Sequence, residues 1–556
     1  MSGILTLHHP RRAKDYYASG TWRTDTLYGL LRKHAHERGS CYGVRDGHRR
    51  LTWQQWLSSV DAVAHVLHTA GVRKGDRVSV WLPNRIEATI VLLACARNGY
   101  ICNPSLHQNY TVAEILSLLE RVRSTVLFGQ VGYGADADRA DVFATAQQLP
   151  GMRQVFAIPG DAGASPPGSQ PFPVACSPSE HSLPEPDDDP DKISYLAFTS
   201  GTTGVPKGVM HSDNTLLANA RAMVEDWHHD ASTILLSLSP MSHHIATVGL
   251  VQTLVTGGEF VLSQLTPENR AIDWIERSGA TYVMGVPTHA MDVLNAARQA
   301  GLQHLHRVQT FYMAGAPIPA EVARQLMELG AKPQNIYGMT ENGSHHYTQP
   351  DDDLETITST CGRACRSYEI RLWSQETRDL EVTAPGQIGE IGGRGGTLML
   401  GYFADQAATQ DSFNTSGWFM SGDLGMFDER GNLKVVGRLK DLIIRGGHKI
   451  HPARIEDLAY RHPAVLKAAV FGVDDARLGE KVCLAIISAK DPPPTAQELL
   501  QHLFDVGLSK FDMPEYFLSL SAFPLTASGK VLKRELVAWV RSGRARPQPV
   551  RWVRPG

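Results

Sequence analysis

The chain has 556 residues, with 54 Lys and Arg against 57 Asp and Glu and a net charge of −3. This length is sufficient for more than one domain, and the near-neutral charge gives no electrostatic reason to expect a nucleic-acid or membrane partner. The seven cysteines are sparse, odd in number and without paired metal-ligand spacing, which favours a reducing, cytoplasmic compartment over a disulfide framework.

The amino terminus contains no apolar core followed by a small-residue cleavage site. No uninterrupted apolar run reaches the roughly 18 residues that a membrane helix needs. We therefore expect neither an export signal nor a membrane span.

Short β-rich apolar runs alternate with helical patterns through most of the chain. Residues 77–83 and 233–240 have the composition of strands, and residues 87–99 have that of a helix. This alternation predicts an α/β fold with substantial parallel sheet, arranged as a large N-terminal domain of layered sheets and helices. Residues 159–192 are rich in Pro, Ser, Gly and acidic side chains, which predicts a surface loop.

The segment "YLAFTSGTTGVPKGVMHSDNTLL" places a hydroxyl- and glycine-rich loop between an apolar strand, residues 193–198, and a helix start at Ser212 or Asp213. Glycines allow backbone amides to approach an anion closely, and Lys207 adds a mobile positive charge. A Walker A loop is excluded, because Pro206 replaces its second glycine and Gly208 replaces its metal-binding hydroxyl. The loop residues are Thr199, Ser200, Gly201, Thr202, Thr203 and Gly204.

Five further motifs follow in order: "MAGAPIP", "NIYGMTEN", "GWFMSGDLG", "VVGRLKDLI" and "PLTASGKVLKREL". Together with "TSGTTGVPKG", they resemble the signature motifs of the adenylate-forming superfamily, which includes acyl- and aryl-CoA ligases, stand-alone adenylation enzymes and firefly-type luciferases. The resemblance covers most of the chain. It implies an enzyme that uses ATP and Mg²⁺ to activate a carboxylic acid.

The resemblance assigns roles to individual residues of the nucleotide site. Glu341 and Thr203 would serve the metal, Tyr337 would offer a flat face to adenine, and Asp423 and Arg438 would bind the ribose. The expected catalytic residues are Lys530, Glu341, His243 and Lys207. The residues expected at ATP or AMP are Thr199, Ser200, Gly201, Thr202, Thr203, Gly204, Lys207, Ala314, Gly315, Ala316, Pro317, Tyr337, Gly338, Met339, Thr340, Asp423, Arg438 and Lys530.

Adenylation and thioester formation make different demands on one site, and family members meet them by rotating a small C-terminal domain. The resemblance places the hinge near Lys440, with an N-terminal AMP-binding domain at residues 1–438 and a mobile α/β domain at 439–556. Lys530 would stabilise the adenylation transition state. Gly446 and Gly447 would leave room for the pantetheine arm of CoA.

The acyl pocket is expected to draw on His243, His244, Gly315, Gly338 and Gly343. His244, together with His345 and His346 in "ENGSHHY", admits two interpretations: a polar pocket wall that suits a compact acid better than a long fatty chain, or ordinary surface or hydrogen-bonded histidines. An enzyme specific for 2-hydroxylated rings would usually carry Asn at position 244, so salicylate-type acids are disfavoured.

Four features lie outside the family pattern or stay open. Cys361 and Cys365 are interpreted as incidental packing rather than half of a metal site, since no second Cys/His pair accompanies them. The arginine-rich tail, residues 541–556, is either solvated or attracted to an anionic ligand. The sequence "TCGRACRSYEI" lacks the usual proline and glycine, and Arg454 replaces an acidic residue before Ile455-Glu456.

The sequence therefore predicts a ligase that forms an acyl-adenylate and then an acyl-CoA thioester, acting on an aryl, alicyclic or medium-chain acid. One alternative hands the acyl group to the phosphopantetheine of a separate carrier protein. A second alternative, a non-catalytic adenylate-binding protein, is disfavoured by the presence of Lys207, Glu341, Asp423, Arg438 and Lys530.

Overall fold

The structure is a computed structural model that describes residues 9–159, 165–173, 183–199, 206–525 and 531–552. Backbone contacts divide the chain into two compact units. The first comprises Met1–Ile370 and Gly393–Phe413, and the second comprises Arg371–Gly392 and Asn414–Gly556. The predicted α/β class is confirmed, and the domain boundary near residue 438 stays a prediction, because a hinge is defined by motion rather than by packing.

The first unit contains a seven-stranded sheet whose strands are parallel except for the last pair. Its order is β7-β6-β5-β3-β4-β8-β9. These strands are β3 (Arg77–Trp81), β4 (Ile101–Asn103), β5 (Ser124–Gln130), β6 (Gln154–Ile158), β7 (Gln170–Pro171), β8 (Ile193–Thr199) and β9 (Lys207–Ser212). The segment predicted as a surface loop thus supplies a two-residue edge strand, β7, which pairs with β6.

A nine-stranded sheet in the same unit has the order β16-β15-β14-β13-β12-β10-β11-β1-β2. The central strands of this sheet are parallel, and the strand pairs at both of its edges are antiparallel. Its strands are β1 (Tyr42–Arg45), β2 (Arg50–Thr52), β10 (Ile234–Ser237), β11 (Glu259–Leu262), β12 (Tyr282–Gly285), β13 (Thr310–Ala314), β14 (Lys332–Met339), β15 (Gly343–Tyr347) and β16 (Arg363–Ala364).

Helices of the first unit form layers around these sheets. They are α1 (Pro10–Ala18), α2 (Leu27–Arg38), α3 (Trp53–Thr69), α4 (Ile86–Asn98), α5 (Val112–Val122), α6 (Phe143–Gln147), α7 (Asp213–Asp226), α8 (His244–Thr256), α9 (Ala271–Ser278), α10 (Pro287–Gln299), α11 (Ala320–Glu328), α12 (Leu354–Ser359) and α13 (Gln406–Asp411). Most residues of α4 and α8 are buried, and one apolar cluster joins them to Phe128 of one sheet and Phe260 of the other. These helices therefore lie between the two sheets.

The outer faces of the two sheets carry separate cores. Leu127 packs with α5 and α6, and Phe311 packs with α9, α10 and α11. Successive strand residues such as Leu127 and Phe128 enter different cores because side chains alternate across a sheet. The result is a layered helix–sheet–helix–sheet–helix unit, as the sequence predicted.

A buried ion pair stabilises the start of α7. Ser212 caps the helix by accepting a hydrogen bond from the Thr215 amide, and Asp213 follows as the first helical residue. Lys192 Nζ lies 2.8 Å from Asp213 Oδ2, with side-chain exposures of 2% and 0%. Asp213 Oδ2 also accepts a hydrogen bond from the Leu27 amide at 3.0 Å, which fixes the start of α2.

The second unit is built mainly on two sheets. One has the order β18-β17-β19-β20-β21, and the other has the order β23-β22-β25-β26-β27 with β24 also paired to β25. The elements are β17 (Tyr368–Trp373), β18 (Glu381–Val382), β19 (Gly389–Gly395), β20 (Phe419–Phe427), β21 (Leu433–Arg438), β22 (Ile443–Arg445), β23 (His448–Ile450), α14 (Pro452–Ala459), β24 (Val465–Asp475), β25 (Gly479–Ser488), α15 (Ala496–Asp505), β26 (Tyr516–Ser519), α16 (Lys533–Arg541) and β27 (Gln548–Pro549).

Among the described residues, no helix is both long and apolar enough to span a membrane.

Candidate active site

The glycine-rich motif begins at the end of β8 and leads into β9. Thr199 and Lys207 lie directly opposite each other in this antiparallel pair, and Arg121 Nη1 donates a 2.5 Å hydrogen bond to the Pro206 carbonyl. Ser200, Gly201, Thr202, Thr203 and Gly204 lie outside the described residues, so their contribution to phosphate binding stays a prediction. Lys207 is the first residue of β9.

Tyr402 joins the two residues on which phosphate and metal binding are expected to depend. Its hydroxyl donates a 3.0 Å hydrogen bond to Glu341 Oε1, and Lys207 Nζ lies 4.7 Å from the centroid of its ring. Burial, reinforced by the Glu341 carboxylate, raises the pKa of Tyr402 far above its ordinary value. The phenol therefore remains a donor to the carboxylate.

Close packing explains why two positions of the predicted adenine and acyl pockets are glycine. A Cβ on Gly338 would stand 1.9 Å from the Gly343 carbonyl oxygen, and one on Gly343 would stand 2.7 Å from the Asn219 side chain. Asn219 pairs with the backbone of Ser344 by accepting from its amide and donating to its carbonyl. The turn between β14 and β15 is thus held rigidly.

The remaining predicted adenine-pocket residues lie at the ends of β13 and β14. Ala314 ends β13, and Gly315 follows it with a φ of +90°, a conformation that favours glycine. The side chains expected at adenine differ in exposure: Tyr337 is buried, Met339 and Thr340 are half-buried, and Ala316 and Pro317 are exposed. Both strands belong to the parallel part of the nine-stranded sheet, and their carboxyl ends are where ligands bind in α/β proteins.

Four imidazoles pack in two pairs around the start of α8. His243, the residue that precedes the helix, lies 4.6 Å from His107 between ring centroids, and His244 stacks on His211 at 5.4 Å. His244 Nδ1 lies 3.3 Å from the hydroxyl of the fully buried Tyr195. His211 Nε2 forms a 2.6 Å hydrogen bond with the Thr340 carbonyl, and so joins this cluster to the "YGMTEN" segment.

Three of these imidazoles, those of His107, His211 and His244, are uncharged at neutral pH because burial lowers the pKa of each. Burial, with a smaller effect of the neighbouring His243, lowers the pKa of His107 to about 3. Burial likewise lowers the pKa of His244 to about 3, with His211 adding to the shift, and that of His211 to about 4. A neutral imidazole keeps one donor and one acceptor nitrogen, so the cluster can bind polar groups without fixed charge.

His345 and His346 are buried in β15 rather than exposed. The ring of His345 lies 5.3 Å from that of Tyr337 and 4.3 Å from that of Tyr368, and its Nδ1 lies 3.3 Å from Nδ1 of His346. Burial lowers the pKa of His346 to about 3, and burial, with a smaller effect of His346, also lowers the pKa of His345 well below its ordinary value. Burial therefore excludes surface histidines, whereas the choice between a polar pocket wall and ordinary hydrogen-bonded histidines stays open.

In the second unit, Asp423 and Arg438 face each other across β20 and β21, with Arg438 Nε 3.2 Å from Asp423 Oδ1. Desolvation, with a smaller effect of Arg438, lowers the pKa of Lys440. Gly446 and Gly447 have φ values of +56° and +88° in the tight turn between β22 and β23. A two-residue turn with both φ values positive strongly favours glycine, which gives this pair a structural role in addition to the predicted one.

Lys530, the metal site and the cysteine pair have different outcomes. Lys530 lies outside the described residues, so its catalytic role stays a prediction. In the described part of the chain, no group of three or more His, Cys, Asp or Glu side chains is arranged to hold a metal ion. Cys365 is buried 3.2 Å from Ser367 Oγ, which agrees with packing as its role.

Sequence motifs alone did not identify Tyr402 and His211. Tyr402 follows Gly401 in "LGYFAD", and His211 is the penultimate residue of β9, directly before Ser212. Their partners lie 61 and 129 residues away in the sequence. The sequence contained two weak signals for these residues. One was an aromatic residue directly after a glycine, and the other was a histidine directly before a helix cap.

Comparison with known proteins identifies the family. The model of the AMP-binding enzyme family matches residues 31–403, and that of the AMP-binding enzyme C-terminal domain matches residues 454–530. The medium-chain fatty-acid–CoA ligase of Escherichia coli (strain K12) is 28% identical over 536 residues, which cover 96% of this chain and 93% of that protein. The mitochondrial medium-chain acyl-CoA ligase ACSF2 of Bos taurus is 31% identical over 518 residues, which cover 88% and 82%.

A solved structure supports the same assignment. ATP-bound MatB from Rhodopseudomonas palustris aligns with a TM-score of 0.78 and 26% identity, covering 93% of this chain and 99% of that one. The chain therefore belongs to the AMP-binding enzyme family, and it is an acid–CoA ligase of the adenylate-forming superfamily.

Proposed function

We propose that the chain activates an aryl, alicyclic or medium-chain carboxylic acid whose far end is uncharged. A carboxylate oxygen attacks the α-phosphorus of ATP, and the bond to pyrophosphate breaks. The CoA thiol then loses its proton, its sulfur attacks the acyl carbonyl, and AMP leaves. The observation that carries this proposal is the contact of Lys207 and Glu341 with one buried residue, Tyr402, which gathers a cation and a carboxylate beside the phosphate motif.

Charge neutralisation is the main requirement of the first step, because three adjacent phosphates repel an attacking carboxylate. Lys207 supplies one positive charge. Glu341 offers a carboxylate oxygen, the ligand type that Mg²⁺ prefers, and Mg²⁺ usually completes its shell with phosphates and water rather than with a protein cage. The residues present therefore fit this ion, which would neutralise phosphate charge when bound. Thr203 as a second ligand is part of the same proposal.

The substrate class is supported by the neutral imidazoles. A second carboxylate at the far end of the substrate would need a cation near it, and the pKa values of His107, His211 and His244 lie at about 3 to 4. Uncharged imidazoles offer hydrogen bonds and flat faces instead. A ring acid or a medium-length chain uses such a wall better than a dicarboxylic acid does.

Groups of the second unit complete the proposal. Asp423 accepts hydrogen bonds from the ribose hydroxyls, and its ion pair with Arg438 orients both side chains. Lys440 serves as the hinge and Lys530 as the lysine of the adenylation step. The cytoplasmic location inferred from the sparse cysteines belongs to this proposal as well.

Acid-dependent exchange of labelled pyrophosphate into ATP tests the proposal directly. A panel should contain benzoate, cyclohexanecarboxylate, octanoate, palmitate and adipate. We expect exchange with one or more of the first three, and little with palmitate or adipate. Exchange with adipate alone would contradict the assignment of an uncharged far end, and ATP binding without exchange for any acid would favour a non-catalytic protein.

Two further measurements separate the half-reactions and the acceptor. Lys530→Ala should abolish exchange yet largely spare thioester formation from supplied acyl-adenylate, and equal losses in both steps would refute its assignment to adenylation. Wild-type protein should form acyl-CoA from that acid, ATP and free CoA. Transfer only to a carrier-protein phosphopantetheine would replace CoA as the acceptor.

A further inference from the structure

Tyr402 occupies a position that the backbone on both sides fixes closely. The Leu400 amide donates to the Met210 carbonyl at 2.8 Å, and the Phe403 amide donates to the Gly208 carbonyl at 2.7 Å. Residues 400–403 therefore lie along the outer edge of β9. Tyr402 is beside this strand at a point two positions from Lys207. The Tyr402 amide donates to Thr409 Oγ1 at 3.0 Å, which anchors the residue from its other side.

The same segment also holds the backbone of Glu341. The Met399 amide donates a 2.7 Å hydrogen bond to the Glu341 carbonyl, while the Tyr402 hydroxyl reaches the Glu341 carboxylate. Tyr402 is only 6% exposed, so its ring cannot swing away without disturbing the packing around it. Main chain and side chain of Glu341 are thus both set by residues 399–402.

We infer that Tyr402 is a positioning residue that orients Glu341 through its hydroxyl and Lys207 through the face of its ring. This inference rests on the proposed roles of those two residues at Mg²⁺ and phosphate. A hydrogen bond to one carboxylate oxygen limits rotation of the group and so fixes the direction in which it faces a ligand. A ring below an ammonium group restricts a flexible lysine side chain by cation–π attraction.

The two contacts can be separated by substitution because they use different parts of the side chain. Tyr402→Phe keeps the ring under Lys207 and removes only the hydroxyl at Glu341. Tyr402→Leu removes both. Tyr133→Phe is a matched control, since Tyr133 is a buried tyrosine of the same unit that lies against Trp81 and has no part in the proposed site.

Calorimetric titration of Mg²⁺ into each full-length variant saturated with ATP gives a readout that does not depend on turnover. We expect Tyr402→Phe to weaken apparent Mg²⁺ affinity roughly 10-fold, within the range for residues that support metal ligands. It should raise the Mg²⁺ concentration for half-maximal exchange equally, and leave the KM for ATP at saturating Mg²⁺ within about 2-fold. Tyr402→Leu should also raise that KM.

Thermal unfolding identifies variants that fold. If Tyr402→Leu does not fold, Tyr402→Met takes its place, since it also removes the ring from below Lys207 and its flexible side chain can fill an irregular space. Wild-type Mg²⁺ affinity in folded Tyr402→Phe, or a loss no larger than in Tyr133→Phe, overturns the inference. So do identical Mg²⁺ and ATP parameters for Tyr402→Phe and Tyr402→Leu. Absence of acid-dependent exchange in the wild type would instead count against the proposed function. The Mg²⁺ titration does not depend on exchange, so it would still test the role of Tyr402.

Discussion

Removal of Lys192 should reveal the cost of an unpaired buried carboxylate at the start of α7. Lys192 Nζ and Asp213 Oδ2 lie 2.8 Å apart, and both side chains are almost completely buried. At that distance the attraction is roughly 6 kcal/mol for an effective dielectric constant of about 20. The amides at the start of α7 would still stabilise the carboxylate by about 0.5–1 kcal/mol.

We therefore expect Lys192→Met to lower the free energy of unfolding of the first unit by about 3–5 kcal/mol, the usual cost of leaving one buried charge unpaired. Urea unfolding followed by tryptophan fluorescence at pH 7.5 measures this loss. Arg139→Met is the matched control, because Arg139 pairs with Asp138 at the surface, with exposures of 79% and 74%. That substitution should change the free energy of unfolding by less than about 0.5 kcal/mol.

The double variant Lys192→Met/Asp213→Asn tests the reasoning itself. Asparagine keeps an oxygen that can accept from the Leu27 amide but carries no charge. We expect the double variant to recover at least half of the loss. A Lys192→Met loss as small as that of the surface control would refute the argument, as would a double variant no more stable than the single one.

Three other predictions follow from described geometry. Gly338→Ala should greatly reduce stability and pyrophosphate exchange together, because its Cβ would stand 1.9 Å from the Gly343 carbonyl oxygen. Gly447→Ala should cost only about 1–2 kcal/mol of φ strain and should slow thioester formation more than exchange. His346, with a pKa of about 3 in the folded chain and about 6.5 when unfolded, binds a proton only in the unfolded chain between those values. The free energy of unfolding should therefore fall as pH drops below about 6.5, and His346→Gln should reduce the fall between pH 7.5 and 5.5 by about 1 kcal/mol.

Each of these predictions has its own control. Gly386→Ala adds φ strain at +76° with no atom within 4 Å, so its thermal unfolding should match that of Gly447→Ala rather than that of Gly338→Ala. Equal effects on exchange and thioester formation in Gly447→Ala would argue against a role of this turn at the thiol. A pH dependence of the urea midpoint that is unchanged in His346→Gln would show that this imidazole does not contribute to acid sensitivity.

Local signals in the sequence predicted most elements around the site. The strand at 193–198 is observed as Ile193–Thr199, and the helix expected after Ser212 or Asp213 begins at Asp213 with Ser212 as its cap. The strand and helix predicted at residues 77–99 are β3 and α4. These elements have strong apolar periodicity and clear boundary residues, so the chain's own chemistry determines them.

Contacts between distant segments could not be predicted in the same way. Whether His345 and His346 are buried depends on what packs on the faces of β15, and the elements in contact with this strand include α7 and α8, which come from earlier parts of the chain. Tyr402 is brought to Glu341 by a segment that follows β19 and lies on β9. Such contacts depend on the path of the whole chain, and no local pattern around either residue encodes them.

The discontinuous composition of the first unit has a consequence for synthesis. Gly393–Phe413 belongs to the same unit as Met1–Ile370, although the residues between them pack elsewhere. A nascent chain that ends before Gly393 already contains β9 and Glu341. In such a chain one edge of β9 is uncovered, and Glu341 lacks the hydrogen bond from the Tyr402 hydroxyl. An uncovered strand edge invites pairing with other chains. Truncation at residue 370 should therefore yield an aggregation-prone fragment, because 32 more residues must be added before Tyr402 can support the Glu341 carboxylate.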